Sequence, residues 1–190
     1  LVSRRLLTES STSSLYVLTG APGSGKTSLL HELEGLGFAS VDELARRVIA
    51  EQRALGEVAI YDKDPRLFVD LMLSRALSDV ETLRAATRPV FFDRGVPDLI
   101  GYAELFGLDS SDAHRAAAAC GYNSIVFCVP AWPEIYVTDG DRRMTPEAAD
   151  AFGRRVRDIY IDLGYTVLDV PCDTVEARAR YVLDALARDA

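Results

Sequence analysis

An apolar run, Leu15-Tyr16-Val17-Leu18-Thr19, gives way to Gly20-Ala21-Pro22-Gly23-Ser24-Gly25-Lys26-Thr27 and then to Ser28-Leu29-Leu30. These eight residues fit G-x-x-x-x-G-K-[ST], and the strand-like run before them and the helix start after them are the setting that gives the pattern physical meaning. Glycines let the backbone bend closely, so that successive N–H groups and a helix N-terminus face a chain of phosphates. The segment from Gly20 to Ser28 is therefore expected to hold a nucleotide. Lys26 is expected to reach the β- and γ-phosphates, and Thr27 to offer its hydroxyl to Mg²⁺.

The remainder of the chain alternates apolar runs with helical patterns. Strands are predicted at Leu15 to Thr19, briefly at Phe38 to Val41, and at Pro89 to Asp93, Ser124 to Val129 and Tyr165 to Val170. Helices are predicted from Gly25 to about Glu34, from Asp42 or Glu43 to Leu55, and as a long rod from Pro65 to about Thr87. Further helices are predicted at Pro97 to Leu105, Asp112 to Ala119, Thr145 to Leu163 and Val175 to Ala187. Asp64-Pro65 and Thr145-Pro146 read as N-caps followed by proline at the first helical position. Such alternation predicts an α/β fold with a five-stranded parallel sheet and helices on both faces. Residues 1–14 read as a flexible leader and residues 15–190 as one domain, with 138–144 as a lid.

Composition narrows the partners. The chain of 190 residues carries 21 basic and 29 acidic side chains, a net charge of −8 that makes long nucleic acid a poor ligand. No run is long enough to cross a bilayer, so no membrane association and a cytoplasmic location are expected. Cys120, Cys128 and Cys172 lack C-x-x-C spacing and suggest neither disulfides nor zinc; Cys128 and Cys172 read as small buried hydrophobes. His31 and His114 belong to no cluster.

Ligands gather beyond the carboxyl ends of the strands in open α/β sheets, which singles out Asp93. It is expected to hold Mg²⁺ opposite Thr27 or to act as general base toward a substrate hydroxyl, and a turn-capping role is the alternative. Arg94 is expected to pair with an acceptor phosphate or to brace Asp93, and a surface or intramolecular ion pair is the alternative. Arg142 and Arg143, in the polar loop Thr138 to Arg143, are expected to close over the nucleotide and offset charge on the transferring phosphoryl group. Arg154, Arg155 and Arg157 are weaker candidates, because their helical positions diverge. Asp42 and Glu43 could orient or deprotonate a substrate, or cap the helix they introduce. Tyr61, Phe68 and Tyr102 could line an apolar pocket for a sugar or base, with core packing the safer reading for Phe68. Asn123 is the sole asparagine and is not followed by Lys-x-Asp, so a guanine-reading element is missing and ATP is the expected donor. Protein-kinase H-R-D and D-F-G elements are also missing.

The stretches Thr19 to Thr27, Val90-Phe91-Phe92-Asp93-Arg94-Gly95, Phe127 to Pro130, Thr138 to Arg143, Asp169-Val170-Pro171 and Arg178 to Leu183 resemble AAA domain family 28, a group of small predicted ATPases. That family is organised like nucleoside and nucleotide kinases, and ribosylnicotinamide kinase domains are similar in outline. The resemblance covers nearly all of the chain after Ser14 and implies a three-layer P-loop NTPase fold. It also implies Asp93-Arg94 as the acid-arginine pair of the acceptor site, Thr138 to Arg143 as the lid, and Pro171 to Thr174 as the border of the adenine. The expected activity is ATP- and Mg²⁺-dependent phosphoryl transfer to a hydroxyl or phosphate on a small, nucleoside-like acceptor, by a monomer or homodimer. The alternatives are an ATPase that drives a conformational or partner switch, and a nucleotide-binding module with little turnover.

Overall fold

The computed structural model describes residues 13–56, 58–136 and 144–189. Their elements run β1 (Leu15–Gly20), α1 (Lys26–Gly35), β2 (Ala39–Val41), α2 (Leu44–Ala54), α3 (Pro65–Leu83) and β3 (Val90–Asp93). They continue with α4 (Asp98–Leu105), α5 (Ser111–Ala117), β4 (Ile125–Val129), α6 (Pro146–Asp162), β5 (Thr166–Asp169) and α7 (Val175–Asp189). A single 3-10 turn, Pro133–Ile135, lies between β4 and α6.

The strands form one sheet in the order β2-β3-β1-β4-β5, parallel throughout. Parallel strands need crossover connections, and these put helices on both faces. Side chains therefore alternate between two cores, both of them apolar. Leu15 and Val17 of β1, Val90 and Phe92 of β3, and Val126 of β4 enter the core packed by α2 to α6. Tyr16, Leu18, Phe91 and Phe127 enter the opposite core with α1 and α7. The result is a three-layer α/β fold with β1 at its centre. The carboxyl ends of β1, β2 and β3 converge at Gly20, Val41 and Asp93.

Two expected helix starts take the predicted form. Asp64 Oδ1 accepts from Leu67 N at 2.9 Å ahead of Pro65, and Thr145 Oγ1 accepts from Ala148 N at 3.2 Å ahead of Pro146. The α3 rod is shorter than expected. It ends at Leu83 rather than near Thr87, because Ala86 N turns back to the Leu83 carbonyl at 2.9 Å and tightens the last turn. Asp42 and Glu43 do not act as side-chain caps: Glu43 occupies the cap position of α2, and its side chain makes no capping bond. The expected leader ran to residue 14, yet the Ser14 carbonyl accepts from Val90 N at 2.9 Å and the Ser13 carbonyl from Asn123 Nδ2 at 2.8 Å. These bonds tie its last two residues to the sheet. Residues 1–12 lie outside the described residues. Cys120 and Cys128 are buried, but Cys172 is exposed, because it falls in the loop beyond β5 rather than on the strand.

Candidate functional site

The loop after β1 leaves the sheet by passing directly under β4. A Cβ on Gly20 would sit 2.1 Å from the Val129 carbonyl oxygen, and the residue has φ +119°. Only glycine fits both constraints. Gly25, at φ +79°, stands at the cap position of α1, and no side-chain bond caps the helix there. The first turn of a helix has N–H groups without intrahelical acceptors, so this N-terminus is ready for an anion.

Lys26 is 5% exposed, and its ammonium turns inward on the loop. Its Nζ donates to the Ala21 carbonyl at 2.6 Å and lies 3.4 Å from the Gly20 carbonyl. Burial lowers its pKa to about 8, with Arg94 adding to the effect. Thr27 Oγ1 donates to Asp93 Oδ2 at 3.1 Å. Asp93 is 1% exposed, and its Oδ1 has no hydrogen-bond partner among the described residues. Burial raises its pKa to about 6 against the pull of Lys26. An orphaned, buried carboxylate oxygen beside a threonine hydroxyl fits a hard cation that keeps most of its water. No group of three or more His, Cys, Asp or Glu is gathered as a metal cage among the described residues. Magnesium is usually held by one or two protein oxygens together with phosphate.

Arg94 takes the alternative expected for it, an intramolecular ion pair. It is 3% exposed, and Nη1 donates to the Gly20 carbonyl and to Asp98 Oδ1, both at 3.0 Å. Its Nε lies 3.5 Å from Glu43 Oε1. It is also the single non-glycine residue with positive φ among those described, at 75°. Asp98 is fully buried and accepts three further bonds: from Thr19 Oγ1 at 2.7 Å, Gly95 N at 2.9 Å and Tyr160 Oη at 2.7 Å. The pair thus joins β1, β3, α4 and α6 beneath the phosphate loop.

Two clefts meet above this assembly. The first, of about 610 Å³, is lined by Gly23, Gly25, Lys26, Thr27 and Ser28 of the loop region and by Trp132, Ile135, Asp173, Thr174 and Arg178 across from it. Arg178 donates to the Ser24 and Gly25 carbonyls at 3.2 and 3.3 Å, and its guanidinium lies 6.0 Å from the Trp132 ring centre. The second, of about 370 Å³, is lined mainly by apolar and aromatic side chains, including Ile49, Tyr61, Phe68, Tyr102 and Phe106. Pro22, Glu43 and Arg46 border both clefts. Asp93 borders neither.

Glu43 is held at that shared wall by Arg46, whose Nε lies 3.1 Å from Oε2. Burial opposes its ionisation, but Arg94, Lys26 and Arg46 outweigh that effect and keep its pKa below the ordinary glutamate value. Asp42 beside it is exposed. Pro171 is exposed and is not among the lining residues, which come instead from its neighbours Asp173, Thr174 and Val175. Arg154, Arg155 and Arg157 are engaged at the surface with Asp150, Glu104 and Asp169. Arg142 and Arg143 lie outside the described residues. The sequence reading passed over Asp98, Arg46, Trp132 and the position of Arg178. The local signal for Asp98 is slight, a carboxylate four residues beyond Arg94 at the start of a predicted helix.

A family model described as an AAA domain matches residues 15–178. No curated protein matches the chain. Among solved structures, the NadR protein in complex with NR superposes with a TM-score of 0.64 at 20% identity, over 93% of this chain and 51% of that one. The chain thus spans about half the length of that protein. The deoxyadenosine kinase of M. mycoides with dCMP and dCDP superposes with a TM-score of 0.63 at 12% identity, over 92% of this chain and 99% of that one. Its complex with dCTP gives 0.59 at 15% identity, with 92% and 99% covered. At these identities the likeness is one of fold, of the P-loop kinase and ATPase kind. With the family model spanning strand β1 to helix α7, the chain belongs to AAA domain family 28.

Proposed function

We propose that the protein is a small-molecule kinase that transfers the γ-phosphoryl group of ATP to an acceptor hydroxyl. The observation that carries this reading is the pair of clefts with a carboxylate at their common wall: Glu43 borders both, between the phosphate loop and an aromatic pocket. A pure hydrolase has no need of the second cleft. The folds of the NadR protein and of deoxyadenosine kinase support the same reading at the level of architecture.

In this proposal the loop amides and Lys26 hold the donor phosphates, and Lys26 exchanges the Ala21 carbonyl for phosphate oxygens. Thr27 and Asp93 would hold Mg²⁺, directly or through water; the ion, when bound, neutralises charge on the phosphates. Glu43 orients the acceptor hydroxyl and takes its proton. A low pKa is acceptable for that task, because in a loose transition state proton transfer comes late and positioning dominates. Arg46 steadies Glu43. Arg94, committed to Asp98 and Gly20, supports the loop from below. Asp93 is then assigned to the metal rather than to the proton, because its Oδ2 accepts from Thr27 at the edge of the phosphate loop and its Oδ1 has no hydrogen-bond partner among the described residues.

The test is a mass-spectrometric screen of pooled hydroxylated acceptors with ATP and Mg²⁺, run on the unaltered protein and on Glu43→Gln. A phosphorylated product that depends on Glu43 is expected. Sustained ADP release with no modified acceptor would replace this reading with an ATPase.

A further inference from the structure

A phosphoryl group that leaves ATP for an acceptor must cross from the cleft of the phosphate loop into the aromatic cleft. Of the described residues, Pro22, Glu43 and Arg46 border both. Proline has no polar side-chain atom and Glu43 is an acid, so Arg46 is the cation of that junction among the described residues. Lys26 lines the first cleft alone. Arg94 is 3% exposed and committed to Asp98 and the Gly20 carbonyl.

The placement of Arg46 runs against local helix chemistry. It lies in the first turn of α2, which holds no acidic side chain and where the helix dipole disfavours a cation. The bond from its Nε to Glu43 Oε2, at 3.1 Å, offsets part of that cost. Its neighbour Arg47 is settled differently: Nη1 and Nη2 of Arg47 donate to Asp79 of α3 at 2.6 and 3.3 Å, a contact that joins two helices. Arg46 instead extends to the cleft junction, with its side chain 41% exposed. The bond to Glu43 employs Nε, and a guanidinium carries four more N–H donors on its two Nη atoms. Such a fork matches the paired oxygens of a phosphoryl group.

We infer that Arg46 is a catalytic residue, whose guanidinium contacts the oxygens of the γ-phosphoryl group in flight and stabilises its transfer from the α2 side of the junction. This rests on the kinase reading above and adds a residue to it. In the transfer the acceptor oxygen forms a bond to the γ-phosphorus, the bond from that phosphorus to the β–γ bridging oxygen breaks, ADP leaves, and the acceptor proton passes to Glu43. Before transfer, the charge of Arg46 is shared with the Glu43 carboxylate. As the proton arrives there, the ion pair weakens and the guanidinium is left to the phosphoryl oxygens. The contact therefore strengthens along the reaction, which is the condition for raising kcat rather than affinity.

The experiment compares the unaltered protein with Arg46→Gln, Glu43→Gln and the double variant, all with Mg²⁺. Calorimetry measures binding of ADP, of ADP with beryllium fluoride as a mimic of bound ATP, and of ADP with aluminium fluoride as a mimic of the phosphoryl group in transfer. Arg46→Gln should weaken the aluminium fluoride complex at least about 10-fold and the other two by less than about 3-fold. The loss should persist in the Glu43→Gln background, as contact with the phosphoryl group requires and a role limited to steadying Glu43 does not. Equal weakening of the beryllium fluoride complex, an unchanged aluminium fluoride complex, or a loss that disappears without Glu43 overturns the inference. So does an aluminium fluoride complex no tighter than that of ADP in the unaltered protein. The acceptor screen separates this outcome from the kinase reading. A phosphorylated product formed by Arg46→Gln at the unaltered rate keeps the kinase and removes the inference. An aluminium fluoride complex that depends on Arg46, with ADP release but no phosphorylated acceptor, keeps the Arg46 contact and removes the kinase reading.

Discussion

Arg94 Nη1 lies 3.0 Å from Asp98 Oδ1, four residues on at the start of α4, and both side chains are shut away from solvent. Arg94 holds a left-handed backbone at φ 75°, which costs a side-chain-bearing residue on the order of 1–3 kcal/mol. The Asp98 carboxylate, with its bonds from Thr19, Gly95 and Tyr160, fixes the arginine in that conformation. The ion pair is therefore the brace of the phosphate loop, through the Arg94 bond to the Gly20 carbonyl.

Removing one partner should expose the cost of burying the other. Asp98→Ala is expected to lose about 3–5 kcal/mol of stability, because it strands a guanidinium in the core. Urea unfolding of the variant and of Asp98→Asn measures this, with a smaller loss expected for the amide. A loss below about 1 kcal/mol for Asp98→Ala would show that the pair is not the brace.

Asp93 gives a pH signature. Its pKa, raised by burial to about 6 from 3.8, means that the folded protein binds this proton more tightly than the unfolded chain does. Stability from this group is thus greatest at low pH and falls as pH rises through the window from about 4 to about 6. The difference in unfolding free energy between the unaltered protein and Asp93→Asn, measured from pH 4 to 7 without nucleotide, should shift in that direction by on the order of 2 kcal/mol. Magnesium dependence should weaken below about pH 6, where the carboxyl becomes neutral. A flat difference curve would place the charge of Asp93 elsewhere.

Gly153 of α6 packs against the loop so closely that a Cβ there would lie 2.8 Å from Ala21 Cα and N. Backbone cannot yield as a side chain can, so Gly153→Ala should displace the loop. Overpacking of this kind costs about 1–3 kcal/mol. Nucleotide affinity should fall by roughly 10-fold or more, although residue 153 does not line the cleft. Titration with a fluorescent ATP analogue measures it, and unaltered affinity would separate α6 from loop geometry.

Lys26→Ala should weaken nucleotide binding by at least about 10-fold, by removing the charge that meets the phosphates. Folding should suffer little, because burial already disfavours the ammonium and holds its pKa near 8. The same titration together with a thermal melt distinguishes the two effects. Unchanged affinity would deny Lys26 its role.

Much of this architecture is legible before any coordinates are seen. The alternation of apolar runs and helical patterns foretells the five parallel strands, because parallel pairing demands crossovers. The phosphate loop is legible for a local reason: its backbone conformation dictates its glycines. Tyr61 borders the second cleft, and Phe68, 1% exposed, packs in the core as its apolar surroundings foretell. What sequence conceals is which of two neighbouring acids faces the cleft. Asp42 and Glu43 follow the same short strand, yet only Glu43 turns inward, because Arg94 and Arg46 draw it there. At a strand end Arg94 reads equally as a phosphate ligand, a brace for Asp93 or one half of an ion pair. Its actual commitment depends on Asp98, whose burial is a property of packing by α6 and not of local pattern. Arg178 lies 154 residues from Ser24 along the chain, and no local periodicity reports a contact that distant.

The Lys26 amine rests on the carbonyl oxygens of the very turn that encloses it. A guest must therefore be a better anion than a peptide oxygen to draw the amine outward. Lone phosphate is a poor competitor, whereas a tethered polyphosphate presents many oxygens at once.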